Sequence, residues 1–518
     1  MNNMHQEPKA GLISGDRFLS LQALDTNSNR AATALHSIGV WKGDSIALLL
    51  RNDFAYFEAT KGAALLGATT VALNWHMTSE EINYVLNDCD AKVIVGHADL
   101  LTESVLAVLE GREVIAVETP LEIAKAYNVP SAACQTPGAI PEWYCWIGSF
   151  DGWAEPAQPP SNPMFYTSGT SGLPKGIKRK PVKPEVAQRA ASRSITAWGL
   201  NDENVVSIMT GPLYHSAPNA YAMNVVRNGG LLVLQPRFNA LEMLELIESY
   251  RVTHLHMVPT MFVRLLKLPD SARKKADVSS IRYVAHGAAP CPADVKEAMI
   301  DWWGPVIHEY YAMTETGIIA TCTSEEWLAH PGTVGKAVEG VDISVVNPDR
   351  GTCSAGEDGQ ICVKSETTPF VSYHRDEAQT NALRWGDYIQ TGDVGHLDEE
   401  GFLYISDRLS DMVISGGVNI YPAEIEKVLI TMPGVSDCAV FGVPDEEFGE
   451  RLVASIEGSE GLNSESVASF LSDRIAGYKV PREYYFDLVL PREDSGKIKK
   501  RLLREMLVNT DDLSAHAM

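Results

Sequence analysis

Phe165-Tyr166-Thr167-Ser168-Gly169-Thr170-Ser171-Gly172-Leu173-Pro174-Lys175-Gly176 is the stretch on which the reading of this chain turns. Four hydroxyl residues, Thr167, Ser168, Thr170 and Ser171, alternate with Gly169 and Gly172, and Lys175 follows. Glycine lets backbone N–H groups close on phosphate oxygens, while hydroxyls and a lysine add donors and charge. The same composition also suits an exposed turn, so the run alone leaves both readings open. A Walker A loop, GxxxxGK[ST], is absent, because Pro174 precedes Lys175 and Gly176 follows it. That speaks against an ordinary P-loop ATPase or kinase.

On the N-terminal side of this stretch, helix and strand alternate. Ile46 to Leu50 reads as a buried strand, Phe54 to Leu66 as a helix closed by Gly67, and Ala91 to Val95 as a further strand. Thr78 and Glu81 have capping-box spacing. The Pro- and Trp-rich segment from Gln135 to Pro163 reads as a connecting or covering loop. On the C-terminal side, Val205–Ile208, Leu231–Leu234, His254–Val258 and Ile281–Ala285 are strand-like, and Asn239 caps a helix. Such alternation implies parallel sheets with covered faces. The rhythm changes after Gly335: Val341–Val346, Gln360–Val363, Val394–Leu397 and Phe402–Ile405 form a strand-rich piece, with a turn at Asp398–Gly401. Beyond Arg408 a small α+β unit is expected, with helices over Ala423–Leu429 and Glu465–Leu471.

Composition narrows the function. The chain has 518 residues and a formal charge of −24. That balance argues against coating nucleic acid, which needs a basic face, but not against holding a nucleotide in a pocket. Hydrophobic residues at 45% and charged residues at 21% are those of a globular protein. The eight cysteines form no CxxC and no zinc-type cluster, which fits a reducing compartment. The N-terminus lacks an apolar signal-peptide core and no run is long enough to span a membrane. The C-terminal residues carry neither a prenylation nor a peroxisomal signal. A cytoplasmic protein is expected, with no nucleic-acid partner and room for a homodimer.

Four further segments carry chemistry. In Tyr310–Gly317, Glu315 beside hydroxyls can hold Mg²⁺ against phosphates, although a loop carboxylate can equally be solvated. Thr391-Gly392-Asp393 and Asp407-Arg408 offer a carboxylate for ribose hydroxyls and a guanidinium for phosphate or ribose oxygens; a turn aspartate and a surface ion pair are the plainer reading. Gly416 and Gly417 permit close approach of a ligand, with Pro422 opening a helix. Ser495-Gly496-Lys497 lies in a basic turn.

Taken in order and spacing, these segments resemble the adenylate-forming superfamily of acyl-CoA synthetases, aryl-CoA ligases, luciferases and peptide-synthetase adenylation domains. The resemblance runs from Asn74-Trp75 to Lys497. It implies an α/β fold: a large N-terminal domain of several subdomains (doubly wound sheets plus a β-rich subdomain), residues 1–409, and a small mobile α+β C-terminal domain, residues 410–518. It implies ATP and Mg²⁺ as cofactors, coenzyme A as co-substrate and a small carboxylic acid as the partner molecule. The implied reaction forms an acyl-adenylate and pyrophosphate, then an acyl-CoA thioester and AMP.

Residue by residue, the resemblance makes Lys497 the lysine bridging carboxylate and phosphate oxygens. Thr167, Ser168, Gly169, Thr170, Ser171, Gly172 and Lys175 would hold the β- and γ-phosphates, and Glu315 the metal. Tyr311 would stack on adenine with Gly287 and Ala288 along it, Thr314 completing the nucleotide site. Asp393 and Arg408 would take the ribose. Gly416 and Gly417 would line the pantetheine tunnel. His215 would border the acyl site, with Asn219, Tyr221, Val258, Thr260, Ala312 and Met313 as neighbours, a mixture that suits a medium-chain or an aryl acid such as a benzoate or cinnamate.

Three positions depart from the family pattern. Ala312 stands where glycine is usual and should narrow the acyl pocket, Ser410 takes the hinge position, and Val418 replaces a polar residue after the two glycines. Two other outcomes stay open at this level: loading of the acyl-adenylate onto a separate carrier protein, and a non-catalytic nucleotide-binding relative.

Overall fold

A computed structural model describes residues 10–159, 161–168, 174–349, 351–415, 418–445, 448–459, 461–492 and 498–515. A seven-stranded sheet runs in the order Val371–Tyr373, Pro174–Arg179, Met164–Ser168, Thr69–Ala72, Ser45–Leu49, Ala91–His97, Glu113–Val117. The five strands from Met164–Ser168 onward are parallel. Parallel neighbours need a crossover, which the intervening helices supply. The chain starts this sheet at Ser45–Leu49, adds Thr69–Ala72 on one side, then Ala91–His97 on the other. That reversal makes the sheet doubly wound. The Gly/Ser/Thr stretch leaves it as an antiparallel hairpin, with Thr167 opposite Lys175 and Ser168 opposite Pro174.

The second sheet has nine strands: Lys336–Ala337, Gly317–Cys322, Ile307–Met313, Tyr283–His286, His254–Met257, Val206–Met209, Leu231–Leu234, Gly11–Ser14 and Arg17–Leu19. Its six strands from Ile307–Met313 to Gly11–Ser14 are parallel. One apolar cluster joins the two sheets. It takes Ile46 and Leu48 from the first, Leu232 and Ala285 from the second, and Leu35, Phe57 and Tyr221 from helices Leu21–Ser37, Phe54–Leu66 and Ser216–Arg227.

Local signals account for the helix ends. Helix Phe54–Leu66 stops at Gly67, whose φ of +70° a side chain would resist. The Thr78–Glu81 capping box forms, and Asn239 caps Ala240–Tyr250. The Gln135–Pro163 segment is more than a loop. It contains helix Trp143–Gly148, and Trp143 is wholly buried with its indole N–H donating to Glu58 at 2.8 Å. A helix of 6 residues is too short to display a 3.6-residue period in the sequence.

An antiparallel sheet follows: Val341–Val346, Gly359–Ser365, Tyr388–Leu397 and Arg384–Trp385, with Leu403–Arg408 paired to Tyr388–Leu397. The turn before Leu403 is closed by the Gly401 N–H on the Asp398 carbonyl, at 3.1 Å. The last unit is smaller. Its sheet comprises Val418–Ile420, Val413–Ser415, Gly449–Gly458 and Val435–Asp445, with Glu483–Tyr485 on Gly449–Gly458. Helices Pro422–Leu429 and Ser464–Ser472 bury Ile425, Leu429, Val467 and Leu471 against it, giving the unit its own core. The architecture is therefore a mixed α/β one, with a large N-terminal part of several sheets and a smaller C-terminal domain. Among the described residues no helix is long and apolar enough to cross a membrane, and all eight cysteines are free thiols.

Candidate active site

Four parallel strands of the nine-stranded sheet, Val206–Met209, His254–Met257, Tyr283–His286 and Ile307–Met313, end along one edge. The segments leaving or closing those ends are 211–219, 258–260, 287–288 and 311–315. Open α/β sheets bind ligands beyond the carboxyl ends of their strands, where loops are free of sheet pairing and helix N-termini point outward. The sheet thus gathers residues that lie far apart in sequence.

The first cluster is Tyr311, Asp393 and Arg408. The Tyr311 hydroxyl donates to Asp393 Oδ2 at 2.5 Å, and Arg408 Nε lies 3.6 Å from Asp393 Oδ1. Asp393 and Arg408 face each other across two antiparallel strands. The turn at Thr391 orients the aspartate, its hydroxyl accepting from the Asp393 N–H at 3.1 Å. Burial, then the adjacent Asp393 charge, pushes the Tyr311 hydroxyl well above its ordinary range, so it stays a donor. Behind Tyr311, Gly287 is a forced glycine: a Cβ there would lie 2.6 Å from the Tyr310 carbonyl oxygen. Ala288 follows with φ +70°, a left-handed backbone that costs an alanine on the order of 1 kcal/mol. Strain of this kind persists only where the surroundings over-determine it. Here it directly follows the close approach of Gly287 to Tyr310.

The second cluster is Glu315, Tyr373 and Lys175. Glu315 is buried, and the Tyr373 hydroxyl donates to its Oε1 at 3.0 Å. Lys175 Nζ lies 5.4 Å from the centre of the Tyr373 ring. Thr314 is fixed on both ends: its hydroxyl pairs with Ser216 at 3.1 Å and its carbonyl accepts from Arg179. Tyr373, Arg179 and Ser216 escape sequence reasoning, since no local pattern marks them. Tyr373 arrives because Val371–Tyr373 adds to the edge of the seven-stranded sheet, opposite Ile177 to Arg179.

The residues read as an acyl pocket divide. His215 is half-buried at the N-terminus of helix Ser216–Arg227, its ring 4.5 Å from Tyr214. Val258 and Thr260 flank the start of helix Pro259–Leu266. Ala312 and Met313 follow a bulge in the pairing of Ile307–Met313 with Gly317–Cys322, and both are half-buried. Asn219 and Tyr221 sit deeper. The Asn219 amide donates to the Tyr56 hydroxyl at 2.8 Å and to the Leu213 carbonyl at 3.0 Å, bracing the segment that presents His215. Tyr221 is fully buried, its hydroxyl 3.0 Å from Ser207 and its ring beside Trp198 and His256. Both side chains are thus committed to the packing that supports the edge.

Thr167 is half-buried on the phosphate-type hairpin. Gly169, Thr170, Ser171 and Gly172 lie outside the described residues, as do Gly416, Gly417, Lys497 and the side chain of Ser168. Ser410 is exposed in the turn between Leu403–Arg408 and Val413–Ser415, which the Met412 N–H closes on the Arg408 carbonyl at 3.1 Å. Asp407, beside it, is buried and accepts from the Ala423 N–H at 2.9 Å, joining the antiparallel sheet to helix Pro422–Leu429.

The donor set also bears on a metal. Among the described residues no group of three or more His, Cys, Asp or Glu side chains could cage one. A single carboxylate, Glu315, beside a Gly/Ser/Thr hairpin fits the way Mg²⁺ is held: by one or two carboxylates, waters and the substrate's own phosphates.

Comparison with known proteins gives the family. The model of the AMP-binding enzyme family matches residues 2–371, and that of the AMP-binding enzyme C-terminal domain matches residues 424–497. A long-chain-fatty-acid–CoA ligase of Mycobacterium tuberculosis, FadD13, is 31% identical, over 95% of this chain and 94% of its own. A feruloyl-CoA synthase of an Amycolatopsis species is also 31% identical, over 95% and 94%. The o-succinylbenzoate CoA synthetase of Bacillus subtilis, solved with an acyl-adenylate intermediate, superimposes with a TM-score of 0.80 at 27% identity, over 97% of this chain and 96% of that one. Fold and site define an adenylate-forming enzyme. The chain belongs to the AMP-binding enzyme family and is of its acyl-CoA and aryl-CoA ligase type.

Proposed function

We propose that this enzyme is an ATP-dependent carboxylic acid:CoA ligase acting on a medium-chain or aryl acid. The observation that carries the reading is that the short segment 311–315 holds both Tyr311, bonded to Asp393 beside Arg408, and Glu315, which Tyr373 connects to Lys175, in a chain of this family. The acid needs no general base, because a carboxylate is already ionised at neutral pH. One of its oxygens attacks the α-phosphorus of ATP as the bond to pyrophosphate breaks. The demand is for charge stabilisation at the phosphates, which Lys497, Lys175 and the hydroxyls of the hairpin supply. Asp393 and Arg408 hold the ribose and Tyr311 the adenine. Glu315 holds Mg²⁺, which when bound neutralises charge on the leaving phosphates.

In the second half-reaction a thiolate of CoA attacks the mixed anhydride and AMP leaves. Gly416 and Gly417 leave room for the thiol arm, and a rotation at Ser410 exchanges the two active arrangements, with the domains meeting at 409/410. His215, Val258, Thr260, Ala312 and Met313 border the acid. The Ala312 methyl narrows the floor, which favours a flat ring or medium chain over a very long one.

Pyrophosphate release across fatty acids, benzoates and cinnamates, with and without CoA and with mass analysis of products, tests the reading. Acid-dependent release with an acyl-CoA product is expected. Acyl-adenylate that never becomes a CoA ester would move the acceptor to a carrier protein. Silence with all acids would overturn the ligase reading.

A further inference from the structure

Tyr373 belongs to none of the motifs, yet it touches two of them. Its strand pairs with the phosphate hairpin, Tyr373 opposite Ile177, and its N–H donates to the Thr380 hydroxyl at 2.9 Å. The next residue tightens the same junction: the His374 N–H donates to the Gly176 carbonyl at 2.7 Å, and its ring Nε2 lies 3.0 Å from the Asp88 carbonyl. The backbone of Tyr373 is therefore fixed before its side chain does anything. That side chain spans from the hairpin to the far sheet, hydroxyl on Glu315 Oε1 at 3.0 Å and ring 5.4 Å from Lys175 Nζ.

A glutamate beside a polyphosphate has three side-chain torsions to settle. A hydrogen bond to one oxygen fixes the carboxylate plane and leaves the second oxygen's direction defined. A phenol suits this task, being rigid with two torsions and held as a donor. The ring face meanwhile offers the Lys175 ammonium a favourable seat.

We infer that Tyr373 is a positioning residue for metal–nucleotide binding, holding the Glu315 carboxylate in the orientation that receives the metal and aligning it with Lys175. The inference rests on the reading of Glu315 given above. Tyr373→Phe removes the hydroxyl and keeps the ring. ATP binding is measured by calorimetry without acid, across Mg²⁺ concentrations and in EDTA, alongside thermal midpoints. The Mg²⁺ concentration for half-saturation should rise about tenfold, the scale of a lost hydrogen bond to a charged group. Metal-free ATP binding and the thermal midpoint should stay as in the parent. Tyr373→Leu should in addition weaken metal-free ATP binding, through Lys175.

Glu315→Gln separates the two layers of the argument. If Glu315→Gln shifts the Mg²⁺ requirement and Tyr373→Phe does not, the positioning role is wrong while the Glu315 reading stands. If Glu315→Gln shifts nothing, that reading falls and the inference with it. Equal weakening by Tyr373→Phe with and without Mg²⁺ would reduce Tyr373 to a packing residue. In the supporting case, adding Tyr373→Phe to Glu315→Gln costs nothing further.

Discussion

Asp393 receives the Tyr311 hydroxyl at 2.5 Å and faces Arg408 at 3.6 Å; Asp53 receives Arg17 at 2.6 Å and faces His97 at 3.4 Å. Both are carboxylates between a guanidinium and a second donor. Their settings differ. Asp53 is sealed, with 0% of its side chain exposed, in a network that also holds Glu122 and Ser14 through Arg17 and Glu122. His97 Nδ1 accepts from the Arg51 N–H at 3.1 Å, so its Nε2 carries the proton that points at Asp53. Arg408, by contrast, leaves 48% of its side chain in solvent and sits 3.6 Å from its carboxylate, beyond hydrogen-bond distance. A structural carboxylate has its partners drawn close and its water removed. Under the proposed function Asp393 is the ligand-facing carboxylate, and its exposed partner at a looser distance is the contrast the substitutions below probe.

Four substitutions probe the contrast. The largest effect belongs to Lys497→Ala, which should abolish acid-dependent pyrophosphate release while preformed acyl-adenylate still reacts with CoA. Equal loss of both half-reactions, measured separately, would remove Lys497 from the first step. Next comes Asp393→Ala. Loss of the charged acceptor for the ribose hydroxyls should lower ATP affinity by about 100-fold. Its thermal midpoint should move by no more than about 2 °C.

Asp53→Asn should do the reverse, costing about 2 kcal/mol of stability, since it takes the charge from a fully buried carboxylate that accepts from Arg17 and faces His97, leaving Arg17 with Glu122 alone. ATP affinity should hold. The acid limb of stability carries the same signature. Burial alone would raise the Asp53 pKa, but the His97 hydrogen bond and the Arg17 charge outweigh it and bring it from 3.8 to about 2. Its contribution is therefore complete above 3.8 and lost as pH falls toward 2. Denaturation midpoints of parent and variant should converge over that range.

Glu58 gives the smallest and opposite effect. It accepts from Asn27 at 2.7 Å and Trp143 at 2.8 Å, and burial, the leading cause, raises it from 4.5 to about 7. Folding takes up a proton in that interval, so this group's contribution is full below 4.5 and fades as pH rises through 7. Glu58→Gln should flatten that slope, Asn27 turning its amide to suit. A slope unchanged between pH 5 and 8 would count against the assignment.

Much of this was legible in the sequence, for identifiable reasons. The strand Leu231–Leu234, the helix Phe54–Leu66 with Gly67, and the Thr78 capping box are local, and their signals lie within a few residues of their effects. Asp393 and Arg408 stand out in the sequence as the ends of two short motifs, and the antiparallel pairing of their strands sets them opposite each other. Tyr373, Arg179 and the Trp143–Glu58 contact were not legible. Each depends on where a distant strand or a single helical turn docks, and tertiary pairing of that kind leaves no periodicity behind. Asn219 and Tyr221, which the resemblance sets beside the acyl site, bond to Tyr56, Leu213 and Ser207, partners that no local pattern marks.

The most direct test sets Asp393→Ala and Asp53→Asn side by side, with ATP affinity by calorimetry and the thermal midpoint read on each. The account predicts a crossed result: affinity lost and midpoint kept for Asp393→Ala, midpoint lost and affinity kept for Asp53→Asn. Loss of both properties together in Asp393→Ala, or ATP binding that survives it, would contradict the claim that the open cluster is the nucleotide site.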